Sequence, residues 1–430
     1  MTNDFLTYQN LWILADEAYR GSGGFLDGNY IERYPRESDE KYKNRQKIAY
    51  YENLFAVKVN RYIGYIFKNT PTRTSNNTLI KKIFDDVDNK GNNIDVFMSN
   101  FAKNAKVRGV NLLLIDMPKN MPTNLKEQID NRILPYFVEI LPERIVDFKT
   151  DKFGKFEYIM FEDTIDKSTP DNQDIEYVIR YYDKEKWVLY DEDKNIIESG
   201  SHNLGICPVL IFAENGDFPD TGEFTQIAKL AYRHYNLLSE LDEILRGETF
   251  PILTLNASTP SDVEIKIASD NAIVYQKDFN KPEFIAPPAA PAEIYLKKIE
   301  KIEATIDKIA YDISTNQSNE SGIALDLKFQ GLNASLSNFA LRLNDLENRA
   351  FDVVCRYLGI NNDITITYPK TFSIIDTQKE ISILEEMKNN INSPTYFKLK
   401  TLQIISNDLG TIEPEDFAKI ESEIEDSFKE

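Results

Sequence analysis

Residues 221–247 read TGEFTQIAKLAYRHYNLLSELDEILRG, and residues 292–314 read AEIYLKKIEKIEATIDKIAYDIS. In both stretches apolar residues recur every three or four positions, which is the spacing of one helical face. In the second stretch this face is a narrow seam with Lys and Glu between its members. The seam consists of Tyr295, Ile299, Ile302, Ile306, Ile309 and Ile313. Because a narrow apolar seam requires another helix against it, the two stretches predict a pair of helices around an insert.

The insert, residues 248–291, contains short strand-like runs and ends in the stiff proline-alanine stretch APPAAP. At about 40 residues it is too long for a turn and too short to fold alone. We therefore expect neighbours to complete it, most simply the equivalent inserts of other copies of the chain.

The rest of the chain mixes helices with short strands, so the predicted fold class is α+β. Helices are expected over residues 4–20, 38–67 and 93–106, and a buried strand over 109–116. Between residues 133 and 213, six short runs predict one meandering antiparallel sheet: PYFVEI, RIVDFK, KFEYIMFED, EYVIRYYD, KWVLYDED and PVLIFA. A helix of some 38 residues follows residue 322, with a kink expected at Gly331. A strand near residue 364 and two or three helices over 376–430 complete the prediction.

The chain of 430 residues carries a net charge of −20, with 70 acidic against 50 basic residues. A protein of this charge is not drawn to phosphate backbones or anionic membranes. The cysteines, Cys207 and Cys355, are far apart and form no CxxC pair, so we interpret both as core thiols of a protein in a reducing compartment. No signal sequence and no run of about 18 apolar residues is present, so we expect neither secretion nor a membrane span.

Enzyme motifs are missing from the sequence. His202 and His234 lack the context of a nucleophile elbow or a metal-binding helix, so both are predicted to be structural. The pair Glu139 and Glu143 and the run 191–193 are interpreted as solvated loop carboxylates, and the Asp/Asn-rich segment 85–95 as a loop without EF-hand spacing. We therefore predict no catalytic, cofactor-binding or metal-binding residues and no enzymatic activity.

Several stretches of the sequence, in this order, resemble the portal proteins of tailed bacteriophages, also called head-to-tail connectors. The stretches are GGFLDGNYIERYP, NRYIGYIFKNTP, LPYFVEILPERIVDFK, LGICPVLIFA, IAKLAYRHYNLLSELDEILRGETFPIL and ESGIALDLKFQGLNASL. The resemblance covers most of residues 20–360, and its specificity lies in the combination.

The resemblance implies a division of the chain into the parts of a portal subunit. The parts are an α+β wing (1–221), a first stem helix (222–247), a clip (248–291), a second stem helix (292–314), a tunnel loop (315–322), a long kinked helix with a return strand to the wing (323–375) and a short helical crown (376–430). The residues of the tunnel loop expected to face DNA are Asn316, Gln317, Ser318, Asn319, Glu320, Ser321 and Gly322. The seam is expected to pack partly on the first stem helix of its own chain and partly on the adjacent subunit.

The resemblance also implies a function. Portal proteins form a homododecamer, a ring of about twelve copies, at one vertex of the viral capsid, and double-stranded DNA passes through it non-specifically during packaging and ejection. The implied partners are the large terminase subunit, head-tail adaptor proteins, and the major capsid and scaffolding proteins. The implied location is the virion, with assembly in the host cytoplasm. No cofactor is expected, and the P-loop motif of an ATPase is absent.

Simpler interpretations of the same features remain open. The tunnel loop can be a solvent-exposed connection between helices, and the seam can be a core within one chain. The whole protein can be an oligomeric interaction scaffold that conducts no DNA, or an enzyme with an unrecognised site in the α+β part.

Overall fold

The protein is described by a computed structural model that covers residues 3–118, 131–249, 252–254, 283–285, 290–312, 322–370, 372, 377–388, 393–409 and 414–427. The chain divides into two compact units. Unit 1 consists of Met1–Tyr19, Leu54–Ala228 and Asp307–Glu430, and unit 2 of Arg20–Asn53 and Lys229–Ile306. Residues 20–53, predicted as part of the wing, thus share a unit with most of the two stem helices. The division into seven portal parts stays a prediction.

Helices and antiparallel sheets are both present, so the predicted α+β class is confirmed. The helices are α1 (Asn3–Arg20), α2 (Asp39–Ile48), α3 (Leu54–Ile66), α4 (Thr78–Asp85), α5 (Ile94–Arg108), α6 (Thr225–Thr249), α7 (Ala290–Ile309), α8 (Gly322–Leu358), α9 (Thr377–Lys388), α10 (Pro394–Leu409) and α11 (Pro414–Ser427). Side-chain caps start several of them: Asn93, for example, accepts a hydrogen bond from the backbone N–H of Val96 at the start of α5.

The prediction of one helix over residues 38–67 is wrong, because the segment forms two helices, α2 and α3. Ala49 ends α2 in an extended conformation, and residues 49–53 carry the chain from it to α3. Within this link the ring of Tyr51 lies 4.2 Å from that of Phe25 and 6.0 Å from that of Tyr235. This aromatic packing requires a position for Tyr51 that the local periodicity does not encode, so tertiary contacts override the helical pattern.

The strands form several antiparallel sheets. They are β1 (Thr72–Thr74), β2 (Val110–Asp116), β3 (Tyr136–Ile140), β4 (Ile145–Thr150), β5 (Phe156–Asp166), β6 (Ile175–Asp183), β7 (Lys186–Tyr190), β8 (Ile196–Ser201), β9 (Val209–Ala213), β10 (Ile252–Thr254), β11 (Glu283–Ile285) and β12 (Thr365–Thr367). All six runs predicted between residues 133 and 213 are strands.

The single sheet expected for these runs is wrong, because they belong to two sheets. Strands β4 to β8 form a five-stranded meander, while β2 is the centre of a three-stranded sheet in the order β3-β2-β9. Its residue Leu112 is paired with Ile140 on one side and Ile211 on the other. A fully buried strand requires hydrogen-bond partners on both edges, since unpaired backbone groups are costly in an apolar interior. The first and last runs supply these edges.

The main apolar cluster of unit 1 lies where α1 meets both sheets. Trp12 of α1 is completely buried, and its indole N–H donates a hydrogen bond of 3.0 Å to the backbone oxygen of Asp220. The buried members of the cluster are Phe5, Trp12, Val110, Leu112, Leu114, Ile140, Ile145, Phe156, Ile159, Phe161, Tyr182, Cys207, Val209 and Ala213. Cys207 belongs to this core and Cys355 is buried in α8, so the prediction of two core thiols is confirmed.

Two glycines of unit 1 allow a close approach of the backbone. Gly109 ends α5 with φ of +83°, and the backbone N–H of Gly222 points at the oxygen of Arg108. A β-carbon on Gly109 would overlap the backbone nitrogen of Gly222, and one on Gly222 would overlap the α-carbon of Gly109. Glycine is therefore required at both positions.

The smaller strands agree with the predicted order of elements. β12, expected near residue 364, pairs with β1. β10 and β11 pair at the two ends of the insert, with Ile252 opposite Ile285, and the insert's other predicted strands lie outside the described residues. The predicted C-terminal helices are α9, α10 and α11, the last two linked by the ion pair of Lys398 with Glu421 at 3.4 Å.

Helix α8 continues through Gly331 without a break in its hydrogen-bonded turns. A β-carbon at this position would lie 3.6 Å from a ring carbon of Tyr311, which is an ordinary van der Waals contact. The kink expected at Gly331 stays a prediction.

Replacing Gly331 with alanine is expected to raise the free energy of unfolding by about 0.5–1 kcal/mol, because the unfolded chain loses conformational freedom and the folded chain has space for the methyl group. Urea denaturation measures the change as a higher midpoint at unchanged slope. Gly64→Ala in α3 is the control, since no atom lies within 4 Å of its β-carbon position. A loss of stability in the Gly331 variant alone would instead favour the predicted kink.

Candidate functional site

The two predicted stem helices lie side by side in unit 2. The Nε2 atom of His234 on α6 is 3.1 Å from Glu303 on α7, and farther along the pair Glu240 of α6 accepts a hydrogen bond from Tyr295 of α7. As the residue number rises on α6, that of its partner falls on α7, so the two helices are antiparallel. This is the helix pair that the apolar spacing predicts.

Most of the seam on α7 is used within the chain itself. Ile299, Ile302 and Ile306 are buried in the single chain, whereas Tyr295 and Ile309 are half-buried. Ile313 lies outside the described residues. The burial of these three residues fits the part of the seam that is expected to pack within its own chain, and the contact of the seam with a neighbouring subunit stays a prediction.

The apolar residues that α7 exposes were not singled out from the sequence. Ile294 is 67% exposed and Leu296 is 48% exposed. They flank Tyr295 and fall outside the three-four seam, and this departure from the periodicity is the signal that could have identified them.

Residues 315–321 of the predicted tunnel loop lie outside the described residues, and Gly322 is the first residue of α8. The segment that leads into the loop, residues 307–312, is described and lies in unit 1. We call this segment the loop root.

Two aspartates fix the loop root to helix α3. The Nζ atom of Lys58 lies 2.5 Å from Asp307 and 2.5 Å from Asp312, and Arg61 also lies 2.5 Å from Asp312. The side chain of Asp312 is only 1% exposed and that of Lys58 only 9% exposed. Buried ion pairs cannot be separated cheaply, because each partner would be left as an unpaired charge in an apolar environment.

Tyr311 holds the loop root at a second point. Its backbone has φ of +53°, so the chain turns sharply after α7. Its hydroxyl donates a hydrogen bond of 2.7 Å to Glu223, and its ring lies against Gly331. Burial, together with this bond and the charge of Glu223, raises the pKa of Tyr311 to about 12. The hydroxyl thus stays protonated and keeps donating at neutral pH.

Glu223 also belongs to the surroundings of a buried lysine. Lys106 of α5 has no exposed surface and lies 2.5 Å from Glu214 and 3.6 Å from Glu223. The ring centroids of Tyr62 and Phe224 are each 4.1 Å from its Nζ atom. The charge is therefore stabilised by two carboxylates and two aromatic faces. Through Glu223 this cluster is connected to the loop root.

A further buried ion pair joins β1 to α8. Arg73 contacts both oxygens of Glu347, and the hydroxyl of Tyr368 donates a hydrogen bond of 2.7 Å to the same carboxylate. Arg73 also lies 2.5 Å from Asp95. Burial lowers the pKa of Arg73, but Glu347 more than offsets this effect and raises it above its ordinary value. These contacts fix the C-terminal half of α8 to β1.

The carboxylate pair Glu139 and Glu143 is not solvated, in contrast to the prediction. Arg108 donates to both oxygens of Glu143, at 2.6 and 2.8 Å, and also to Asp16. Glu139 accepts hydrogen bonds from Asn104 and Asn111; burial raises its pKa, and these two bonds partly oppose the shift. Both carboxylates are engaged in packing the three-stranded sheet, an arrangement typical of structure rather than of acid-base catalysis.

The remaining sequence candidates have local structural roles. His202 lies within 3.1 Å of the backbone oxygen of Asp183 and accepts from the N–H of Leu204. Asp191 binds Asn195 across the turn between β7 and β8. In the 85–95 loop, Asp88 accepts from the N–H groups of Lys90 and Asn92.

Two adjoining cavities of unit 1, of about 770 and 370 Å³, share Lys155 and Arg349 in their walls. The basic residues that line them are Lys152, Lys155, Lys184, Arg342, Arg349 and Arg356. Four acidic residues, Asp151, Asp217, Asp345 and Asp352, also line them. We call these cavities the basic groove, because basic residues outnumber acidic ones in its walls although the whole chain has a net charge of −20; its size is that of a site for a ligand or a peptide segment.

Comparison with known proteins identifies no relative by sequence: no family model matches the chain, and no curated protein matches it. The solved chains that are similar in structure include two from gene transfer agent particles. One, from the neck of an empty gene transfer agent particle computed with C6 symmetry, has a TM-score of 0.46 and 8% identity, covering 81% of this chain and 90% of that chain. The other, from the virion of a native gene transfer agent particle, has a TM-score of 0.43 and 9% identity, covering 80% and 89%.

No helix of the described residues is long and apolar enough to cross a membrane.

Proposed function

We propose that this protein is a phage portal: a ring-forming, non-enzymatic channel at one capsid vertex through which double-stranded DNA is packaged and ejected. The observation that carries the proposal is the succession of elements after residue 224. Two antiparallel helices flank an insert, a root fixed by buried ion pairs follows, and a helix of 37 residues comes next. With the stretches that resemble portal proteins, this succession corresponds to stem, clip, tunnel loop and long helix.

The charge of the chain suits a channel for DNA. Each phosphate that a protein neutralises releases counterions and adds affinity, so a wall rich in Lys and Arg would hold the duplex. A chain with 70 acidic and 50 basic residues instead repels DNA, and a duplex inside a ring of such chains is centred and free to slide.

The contacts of the loop root give the proposed tunnel loop a fixed starting point. Asp312 is fixed to Lys58 and Tyr311 to Glu223, shortly before the tunnel loop predicted at residues 315–322. Residues 316–322, with small polar side chains and a single carboxylate, Glu320, would contact phosphates only weakly. We propose that this loop is the part of the subunit nearest the DNA.

The proposed partners follow from the same assignment. The clip would meet the large terminase subunit during packaging and the head-tail adaptor proteins afterwards, and the capsid and scaffolding proteins would surround the ring. The ring would contain about twelve copies, assembled in the host cytoplasm and retained in the virion.

A double variant, Ile294→Asp with Leu296→Asp, is expected to abolish ring formation while leaving the subunit folded. Both side chains are exposed in the single chain, so new carboxylates there cost little until a neighbouring subunit covers them. Analytical ultracentrifugation measures assembly, and circular dichroism measures folding. Leu26→Asp, at an apolar residue of unit 2 that is 79% exposed, is the control and should still assemble. Rings formed by the double variant would exclude α7 from the interface.

Negative-stain microscopy of the purified chain tests the function itself. The expected result is a ring of roughly a dozen copies with an axial hole, formed alone or together with scaffolding protein. The second candidate function is an oligomeric interaction scaffold without DNA conduction, which the basic groove favours because it offers a docking site for an acidic partner segment. Closed particles without an axial hole would favour this scaffold, and a monomer under both conditions would contradict the portal.

A further inference from the structure

Three side chains that can bind metal ions lie together in unit 2. They are Glu52 from the link between α2 and α3, His234 from α6 and Glu303 from α7. One ligand atom from each lies within 4.8 Å of the other two. His234 is almost completely buried, Glu303 is half-buried and Glu52 is exposed, so the cluster opens to solvent on the side of Glu52.

The charges of this cluster are unbalanced without a cation. Two carboxylates face one imidazole, whose Nε2 atom lies 3.1 Å from Glu303. A protonated nitrogen could donate to only one of the two carboxylates. In the part of the chain that the structure describes, no Lys or Arg forms an ion pair with Glu52 or Glu303. Like charges held this close together favour a bound positive charge.

We propose that Glu52, His234 and Glu303 bind a divalent transition-metal ion, with Zn²⁺ as the reference ion. One imidazole nitrogen and two carboxylate oxygens are a ligand set that zinc accepts, and water completes the coordination on the open side. In tetrahedral geometry with bonds of 2.0–2.1 Å, the ligand atoms lie roughly 3.3 Å apart. His234 and Glu303 already have this spacing, and the exposed side chain of Glu52 is free to close the remaining gap.

The ion would join three segments that are distant in sequence. It would fix α6 to α7 near the middle of their antiparallel pairing, and both helices to the link that follows α2. Such a site would stabilise the helix pair by mass action, because the ligands come together only in the folded chain. The inference depends on these three residues alone and holds whether or not the protein is a portal.

The test is a metal titration of the untagged full-length chain after removal of metals with a chelator. Isothermal titration calorimetry with Zn²⁺ measures stoichiometry and affinity, and Co²⁺ absorption in the visible region reports coordination directly. We expect one ion per chain and a higher melting temperature with Zn²⁺. Loss of an outer-shell partner typically weakens metal binding 10–100-fold, so Glu303→Gln, which removes a direct ligand, should weaken it at least about 100-fold.

Two control variants separate this site from general binding to an acidic protein. Glu300→Gln removes an exposed carboxylate one turn away on the same helix, and His202→Asn removes the chain's other histidine. Both should bind Zn²⁺ like the unmodified chain. Variants of the buried His234 can fail to fold, whereas Glu52→Gln changes an exposed residue outside the core. The Glu52 variant should therefore fold and bind Zn²⁺ more weakly than the unmodified chain. The proposal would be overturned if the unmodified chain did not bind Zn²⁺, or if the Glu52 and Glu303 variants bound Zn²⁺ as tightly as the unmodified chain does.

Discussion

Replacing Glu347 with alanine is expected to destabilise the folded chain by about 3–5 kcal/mol, the largest effect of any single change considered for this protein. The side chain of Glu347 is 0% exposed and that of its partner Arg73 is 4% exposed. Without Glu347 the guanidinium keeps one carboxylate partner, the partly solvated Asp95, and the Tyr368 hydroxyl loses its acceptor. A buried charge and a buried hydroxyl are then both left without their main partner.

Urea denaturation followed by circular dichroism measures this loss of stability. Asp345→Ala is the control on the same helix, since Asp345 is 69% exposed and pairs with Arg349 one turn away. Exposed pairs of this kind contribute about 0.5 kcal/mol, so the control should change the midpoint little. Equal effects of the two variants would mean that the Arg73 cluster is not buried in solution.

Replacing Asp312 with asparagine is expected to destabilise the chain by about 3 kcal/mol and to release the loop root. The asparagine side chain fills the same space but carries no charge, so Lys58 and Arg61 both lose their ion pair with residue 312, while the pair of Lys58 with Asp307 remains. Amide hydrogen exchange should increase in residues 307–312, because local opening no longer breaks a buried ion pair. If the protein is a portal, particles that carry this variant should also retain packaged DNA less well.

Asp307→Asn is the control for the loop root. Asp307 is 23% exposed, and its loss leaves the contact of Lys58 with the buried Asp312 intact. Its effect on stability and exchange should be clearly smaller. If both variants exchanged like the unmodified chain, the ion pairs of these two aspartates would not be what fixes the loop root.

The sequence correctly predicts features that repeat over short distances along the chain. The three-four spacing of apolar residues correctly indicated the paired helices α6 and α7, and short β-rich runs indicated β3 to β7 and β9. Such patterns identify a buried face but not the element that covers it. For this reason the sequence alone allows the seam to be either a core or an interface. Only the structure shows that three isoleucines of the seam are buried while the neighbouring Ile294 and Leu296 are exposed.

The clusters that fix the loop root and the long helix could not be predicted. Lys58 and Asp312 are 254 residues apart in sequence, and Arg73 and Glu347 are 274 residues apart. With 70 acidic and 50 basic residues available, charge alone does not select these partners. Their pairing depends on how α3 and β1 pack against α8 and the loop root, which is a property of the whole fold. The break between α2 and α3 has the same origin, because the packing of Tyr51 decides it.

The contact of Gly109 with Gly222 has a consequence for how this sequence can diverge. Neither residue bears a side chain, so neither would be noticed among core or charged positions, yet the backbone of each occupies the space of the other's β-carbon. No compensating change at one glycine can make room for a side chain at the other. In a library of all single substitutions, these two positions should stand out as intolerant of every replacement, including alanine. Homologues of this protein should therefore keep both glycines even where the surrounding strands and helices have changed beyond recognition.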